Sequence, residues 1–320
     1  MSCDLTIAIA TFNGAERFPL VLDALRSQIT PTSLNWEILI IDNNSSDDTA
    51  ARVERYQAEW GTTVPLRYCF EPQQGLAFAR QRAIETANGT WVGFLDDDNL
   101  PSPTWVAEAY AFGQAHPQAG AYGSQIQGRF EIEPPENLQK ILFYLAIVNR
   151  GSQPSQYSPR QNGVPPGAGV VVRKDAWLAH VPPRLLLAGR VGGSMLSCED
   201  LEALLYLHSG GWEIWHNPAM QIEHLIPANR LNQPYFMGLM RGVGLCRHHL
   251  RMLVLKTWQR PLAFGLYLVS DAGKVLRHLL HKRMAIAHEP VAACEMQLLL
   301  GILVSPFYLW SLRLSRLIKQ

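Results

Sequence analysis

The nine residues WVGFLDDDN, Trp91–Asn99, set a five-residue apolar run directly against three consecutive carboxylates. A run of that length, bounded by polar residues, fits a strand buried on both faces. Asp96, Asp97 and Asp98 then stand at its carboxyl end. Working outward, two earlier stretches share the same grammar. LTIAIA, Leu5–Ala10, ends at Thr11-Phe12-Asn13-Gly14, and EILII, Glu37–Ile41, ends at Asp42-Asn43-Asn44-Ser45-Ser46. Helical patterns lie between the runs. Phe18, Val21, Leu22 and Leu25 recur at i, i+3, i+4 and i+7. Ser46 or Asp47 is placed to cap a helix through Tyr56. Leu66–Phe70 is a short strand, and Leu76–Ala87 a helix stopped by Asn88-Gly89. Strands alternating with helices predict βαβ units and a mostly parallel α/β sheet covered on both faces. In such sheets the ligand crevice lies outside the carboxyl ends of the strands. Thr11–Gly14, Asp42–Ser46 and Asp96–Asp98 are therefore expected at one site.

From about 125 to 165 the pattern weakens. Pro134-Pro135 and the proline-rich Ser152–Pro166 predict loop or surface excursion. Val170–Val172 is a strand after Gly167-Ala168-Gly169. Arg184–Ser197 is expected to be mobile. Cys198-Glu199-Asp200 opens a helix to His208, closed by Gly210-Gly211, and a short strand leads to His224.

The 320 residues carry 28 Lys and Arg against 27 Asp and Glu, so no chain-wide basic field argues for nucleic acid. An apolar share of 48% excludes intrinsic disorder. Five dispersed cysteines without a CxxC exclude a disulfide scaffold and a cysteine-based zinc site, and point to a reducing compartment. The first residues lack a basic segment and a long apolar run, so the expected location is cytoplasmic, peripheral at the inner face of the cell membrane. The near-neutral total hides an asymmetry. Residues 241–320 hold 12 Lys and Arg against 3 Asp and Glu, a net of +9, while 1–240 carry a net of −8. The basic part also contains Leu262–Val269 and the 17-residue run Met296–Leu312, which Pro306 is expected to interrupt. Apolar runs beside cations suit a helix in the membrane interface better than a full span. Two regions follow: a catalytic domain over 1–232 and a basic, apolar, membrane-associating helical region over 233–320.

Carboxylates at a strand exit suit Mg²⁺ or Mn²⁺ shared with substrate phosphates. Asp42 and Asn43 can hydrogen-bond a base or ribose. The Asp42–Asp48 stretch lacks the Gly and Glu of a calcium loop, with Asp47 and Val53 at those positions. No GxGxxG, P-loop or GxSxG pattern occurs, which argues against dinucleotide, P-loop and serine-hydrolase chemistry. Glu199 or Asp200 can accept a proton from an attacking hydroxyl.

Taken in order, IATFNG (9–14), IDNNSSDDT (41–49), GLAFAR (75–80), FLDDDN (94–99), GAGVVVR (167–173), Glu199-Asp200 and the 211–224 stretch ending at His224 resemble a family 2 glycosyltransferase of GT-A fold. The resemblance implies a Rossmann-like, mostly parallel sheet flanked by helices, a nucleotide-sugar donor (a UDP-sugar first) and inversion at the anomeric carbon. It implies that Thr11, Asn13, Asp42 and Asn43 hold the nucleoside. Gly75 and Arg80 line the donor site, Asp96 and Asp97 border the donor, and Gly169 lies by the sugar. Asp96, Asp98 and His224 reach the metal, and Asp200 is the base beside Glu199. Gln81 departs from the family's common Asn. The Gln-x-x-Arg-Trp pattern of processive synthases is absent, which favours one sugar per encounter. The acceptor implied is a lipid-linked or saccharide precursor of surface polysaccharide. Rival readings are a phosphohydrolase using an Asp nucleophile, weakened by Leu100 at the last motif position, and a non-catalytic nucleotide-sugar-binding module on the membrane.

Overall fold

Along β1, Cys3–Thr11, successive side chains go to opposite faces, and this period of two sorts the core into two layers. Ile7 and Ile9 face one layer with Ile38, Ile40, Trp91 and Leu95, whereas Ala8 faces the other with Leu39, Ile41, Val92 and Phe94. The computed structural model describes every residue except Met1, Ser2, Thr62, Asn162, Met284, Lys319 and Gln320, and all side chains but those of Ala287 and residues 313–318. After β1 come α1 (Phe18–Arg26), β2 (Trp36–Asp42), α2 (Thr49–Ala58), β3 (Leu66–Phe70), α3 (Leu76–Thr86), β4 (Gly89–Asp96), β5 (Asn99–Pro101), α4 (Trp105–Ala115) and β6 (Ala119–Phe130). A 3-10 segment (Glu136–Leu145), β7 (Ser155–Gln156), β8 (Val171–Arg173), α5 (Lys174–His180), α6 (Glu199–Ser209) and β9 (Glu213–Ile226) follow. The chain ends in α7 (Gln233–Leu253), α8 (Arg260–Lys282), α9 (Ala285–His288) and α10 (Pro290–Ile318).

The nine-stranded sheet runs β3-β2-β1-β4-β8-β6-β9-β5, with β7 on β9. Strands β3, β2, β1 and β4 are parallel, and β8 is antiparallel to both β4 and β6. The register sets Thr11 opposite Asp42 and Ala10 opposite Asp96, so the three strand ends lie level. Helix α1 buries Phe18, Val21, Leu22 and Leu25 on the first layer, the four positions that its spacing marks. Leu22→Ala there should cost about 2–5 kcal/mol. On the second layer, Ala79 and Ala83 of α3 pack near Ala8, where small side chains bring helix and sheet close.

Two compact units share the chain: Met1–Arg129, Ala146–Leu185 and Ala203–Leu225 form one, and Phe130–Leu145, Leu186–Glu202 and Ile226–Gln320 the other. In the second, α7 packs on α10 through facing glycines. A Cβ on Gly244 would come 2.5 Å from the Leu298 carbonyl, and one on Gly301 would come 2.6 Å from that of Arg241. The buried Ser305 receives the His248 N–H at 3.1 Å and donates to the Leu245 carbonyl.

Two expectations are corrected, the length of the strand before His224 and the effect of Pro306. Where the sequence pattern weakens, from 125, regular structure stands on either side of Pro134-Pro135. Strand β6 runs on to Phe130, and the 3-10 segment buries Leu138, Ile141 and Leu145, an apolar face that the flanking prolines obscured. The strand leading to His224 is long, with 14 residues, because Pro218 is accommodated within it. Pro306 does not interrupt α10, since Ser305 is anchored on α7 beside it. Pro290–Leu312 is the one helix among the described residues long and apolar enough to cross a membrane, and 33% of its most apolar window is buried. Arg313, Arg316 and Lys319 of the basic tail lie outside the described side chains.

Candidate active site

The carboxyl ends of β1, β2 and β4 set polar residues side by side, at the end of the sheet where ligands bind in open α/β folds. Thr11 is buried and donates its hydroxyl to Asp97 Oδ2 at 2.7 Å. Arg17, at the entry to α1, grips the same carboxylate at both oxygens, Nε to Oδ1 and an Nη to Oδ2, each at 2.9 Å. The pair is bidentate, the stronger geometry for arginine and carboxylate. A Cβ on Gly14 would overlap both Thr11 Oγ1 and Asp97 Oδ2, so only glycine fits against this pair. Asn13 adopts a positive φ of 48° and accepts from the Ser46 N–H at 2.8 Å, tying the first strand-end loop to the second.

Asp42 is buried. Its Oδ1 accepts the Ser45 N–H at 2.9 Å and its Oδ2 the Tyr68 hydroxyl at 2.8 Å. One carboxylate oxygen thus holds the loop and the other ties Asp42 to β3. Burial, and then the Asp42 carboxylate, push the Tyr68 phenol up, which keeps it a donor. Asn43 spends its side chain on the loop before α3. Its Nδ2 donates to the Gln73 carbonyl at 2.7 Å and its Oδ1 accepts the Gly75 N–H at 2.7 Å. It therefore positions Gly75, whose φ of 134° suits glycine. The N-cap position of α2 falls to Asp48, not to the expected Ser46 or Asp47, and Asp47 accepts the Thr49 N–H at 3.1 Å from the residue before it.

Asp96 lies 3.7 Å from the guanidinium of Arg80, which is buried at 4% exposure over the ring of Phe94. The absent side chain of Gly167 makes room for that guanidinium. Burial pushes the Asp96 carboxyl above its ordinary value, and Asp98 and Asp97 add to the push against the pull of Arg80. Burial likewise raises Asp97, with Arg17 pulling the other way. Asp98 sits 3.5 Å from His224 Nε2, because β5 pairs with β9 in a register that sets Asn99 opposite His224. Gly169, at φ 64°, donates its N–H to the Phe94 carbonyl and receives the Ser124 hydroxyl on its own carbonyl.

The three adjacent aspartates thus diverge: Asp96 toward Arg80, Asp97 to Arg17 and Thr11, Asp98 to His224. Among the described residues, no three His, Cys, Asp or Glu side chains converge into a metal cage. Of the expected set, Asp98 and His224 lie 3.5 Å apart, while Asp96 faces Arg80 at 3.7 Å. What remains fits a cation completed by a substrate. Hard divalent ions such as Mg²⁺ take one or two carboxylates and fill their shell with phosphate oxygens and water. Arg17 and Tyr68 were missed by sequence reasoning. For Arg17 one signal existed, a lone cation in the first strand-to-helix turn of a chain with three clustered carboxylates.

Glu199 and Asp200 belong to the second unit, in the first turn of α6, after Cys198 at a φ of 73°. Glu202, one turn on, is buried. It accepts the Leu186 and Leu187 N–H groups at 3.0 and 2.8 Å and lies 2.8 Å from His249 Nε2, fixing one end of the irregular 186–198 segment.

A family model described as glycosyl transferase family 2 matches residues 6–175. A PGL/p-HBAD biosynthesis glycosyltransferase of Mycobacterium bovis is 30% identical over 149 residues, 45% of this chain and 56% of that one. The chain spans from a third to just over half of the length of the curated relatives it matches first. Among solved structures, a mannosyltransferase from Pyrobaculum calidifontis in complex with GDP-Man and Mn²⁺ superposes with a TM-score of 0.59. It is 17% identical and covers 96% of this chain and 87% of its own. TarS of S. aureus in complex with UDP-GlcNAc gives 0.52 at 14% identity, covering 95% and 91%. At these identities the likeness shows the shared GT-A fold.

Proposed function

The chain belongs to glycosyl transferase family 2, and from that footing we propose that it moves one sugar, with inversion, from a nucleotide-sugar to a hydroxyl acceptor. The observation that carries this reading is the level placement of Thr11, Asp42 and Asp96 at three parallel strand ends, beside Arg80 and His224. A nucleoside is bound at the β1 and β2 ends, with Asp42 held rigid by Ser45 and Tyr68. The diphosphate is met at the β4 end, where Arg80 supplies positive charge. Asp96 and Asp98 would hold a divalent cation, which supplies further positive charge to the departing diphosphate. That donors of this class and Mn²⁺ accompany the GT-A neighbours supports the reading.

In the reaction, the acceptor oxygen bonds to the anomeric carbon as the bond from that carbon to the diphosphate oxygen breaks. The electron pair leaves with the diphosphate. The hydroxyl proton passes to the Asp200 carboxylate, with Glu199 orienting the acceptor or its loop. Asp97 is committed to Arg17 and Thr11, so it shapes the turn between its two neighbours and does not accept the proton. The acceptor is a lipid-linked or saccharide precursor in surface polysaccharide synthesis. Proton NMR of the product from an α-linked UDP-sugar tests the stereochemistry. A β-linked product is expected, and an α-linked product would exclude single displacement.

A further inference from the structure

Helix α8 turns one side inward and leaves the other bare. Asp271 and Val275 are buried, Arg251 pairs with Asp271 and lies over Tyr267, and Phe264 stacks edge-on with His248. The opposite side carries Leu262, Leu266, Val269, Leu276 and Leu280, at exposures of 69, 63, 75, 57 and 54%. At 100° per residue these five lie within about 40° of a single line along the helix. Trp258, 73% exposed, stands in the turn just before it. Arg277 stands about 60° round the helix from the stripe, and Arg283 lies at its C-terminal end; Arg260 and Lys282 are on the far side, and Lys274 is paired with Asp271. The one carboxylate within α8, Asp271, is already paired with Arg251 and Lys274.

We infer that this face of α8 is a docking surface for an anionic lipid bilayer, with the aliphatic stripe and Trp258 set into the interface and the flanking cations at the headgroups. The stripe is aliphatic along its length, with cations beside it and an aromatic at one end, as an interfacial helix requires. Charge selects the occupant. A second copy would bring its own net +9 from residues 241–320 against the first, whereas anionic headgroups are complementary.

The test uses the full chain and vesicles of phosphatidylcholine, alone or mixed with phosphatidylglycerol. The wild-type protein should co-sediment with the mixed vesicles and be released as salt rises. Replacing Leu262, Leu266, Val269, Leu276 and Leu280 together with Ser should weaken vesicle binding roughly 100-fold or more. The melting transition should stay near that of the wild type, because these side chains are exposed. Failure of the wild type to bind either vesicle would overturn the inference, as would equal binding by the serine variant. A wild-type dimer without vesicle binding, dissociated by the same substitutions, would assign the stripe to a second copy and also overturn it.

Discussion

His216 on β9 is fully buried, and among the described residues neither ring nitrogen has a hydrogen-bond partner. Burial, and then the nearby Arg150 guanidinium, hold the imidazole down at a pKa of about 4, against an ordinary 6.5. In the unfolded chain it takes a proton below about 6.5, while the native ring refuses one until about 4. Stability is therefore lost as pH falls through that interval. With 1.36 kcal/mol per pKa unit, the loss from this residue is about 2 kcal/mol at pH 5 and about 3 kcal/mol at pH 4. His216→Leu removes the titration. It also removes two orphaned polar atoms, whose burial costs on the order of 1–3 kcal/mol at any pH. Urea unfolding followed by tryptophan fluorescence at pH 7.5, 6 and 5 would measure both effects. The variant should gain on the wild type as pH falls, by about 2 kcal/mol between pH 7.5 and 5. Parallel stability curves would refute the reasoning, since they would mean that the native ring protonates freely.

Asp98→Asn should weaken both Mn²⁺ and nucleotide-sugar binding by calorimetry while leaving the melting transition in place, and unchanged donor affinity in EDTA would contradict the cation's role. Asp200→Asn should lower turnover by about 10²-fold or more with donor affinity near wild type; near-normal turnover there, with loss in Glu199→Gln, would move the base to Glu199. Gly14→Ala forces a Cβ against Thr11 and Asp97 and should destabilise the first unit by about 1–3 kcal/mol, read as a fall in melting temperature.

Much of the fold was legible because its strands obey a simple rule. LTIAIA, EILII and WVGFL are apolar on both faces, end in polar residues and alternate with helical patterns, so β1, β2, β4 and the site at their ends follow from periodicity. Helix α1 buries the four residues that its spacing marks. The antiparallel half was harder to read. Strand β6 mixes glycine and polar residues with few apolar ones, and β9 contains Pro218, so neither shows a clean period. The divergence of Asp96, Asp97 and Asp98 was also hidden, because it depends on Arg17, Arg80 and His224, which only the folded chain brings to them. That Asn43 also braces the loop before α3 is not visible in the sequence, because its partners Gln73 and Gly75 stand about thirty residues away. The segments 130–145 and 186–202 group with the C-terminal helices, a long-range association that composition along the chain does not display.

The central claim is sugar transfer from a nucleotide-sugar at the ends of β1, β2 and β4. A nucleotide-release assay over a panel of UDP- and GDP-sugars, run with Mn²⁺ and with EDTA, tests it most directly. Release from one donor that depends on the cation and is abolished by Asp98→Asn is the predicted result. Release of inorganic phosphate in place of a nucleoside diphosphate would contradict the account.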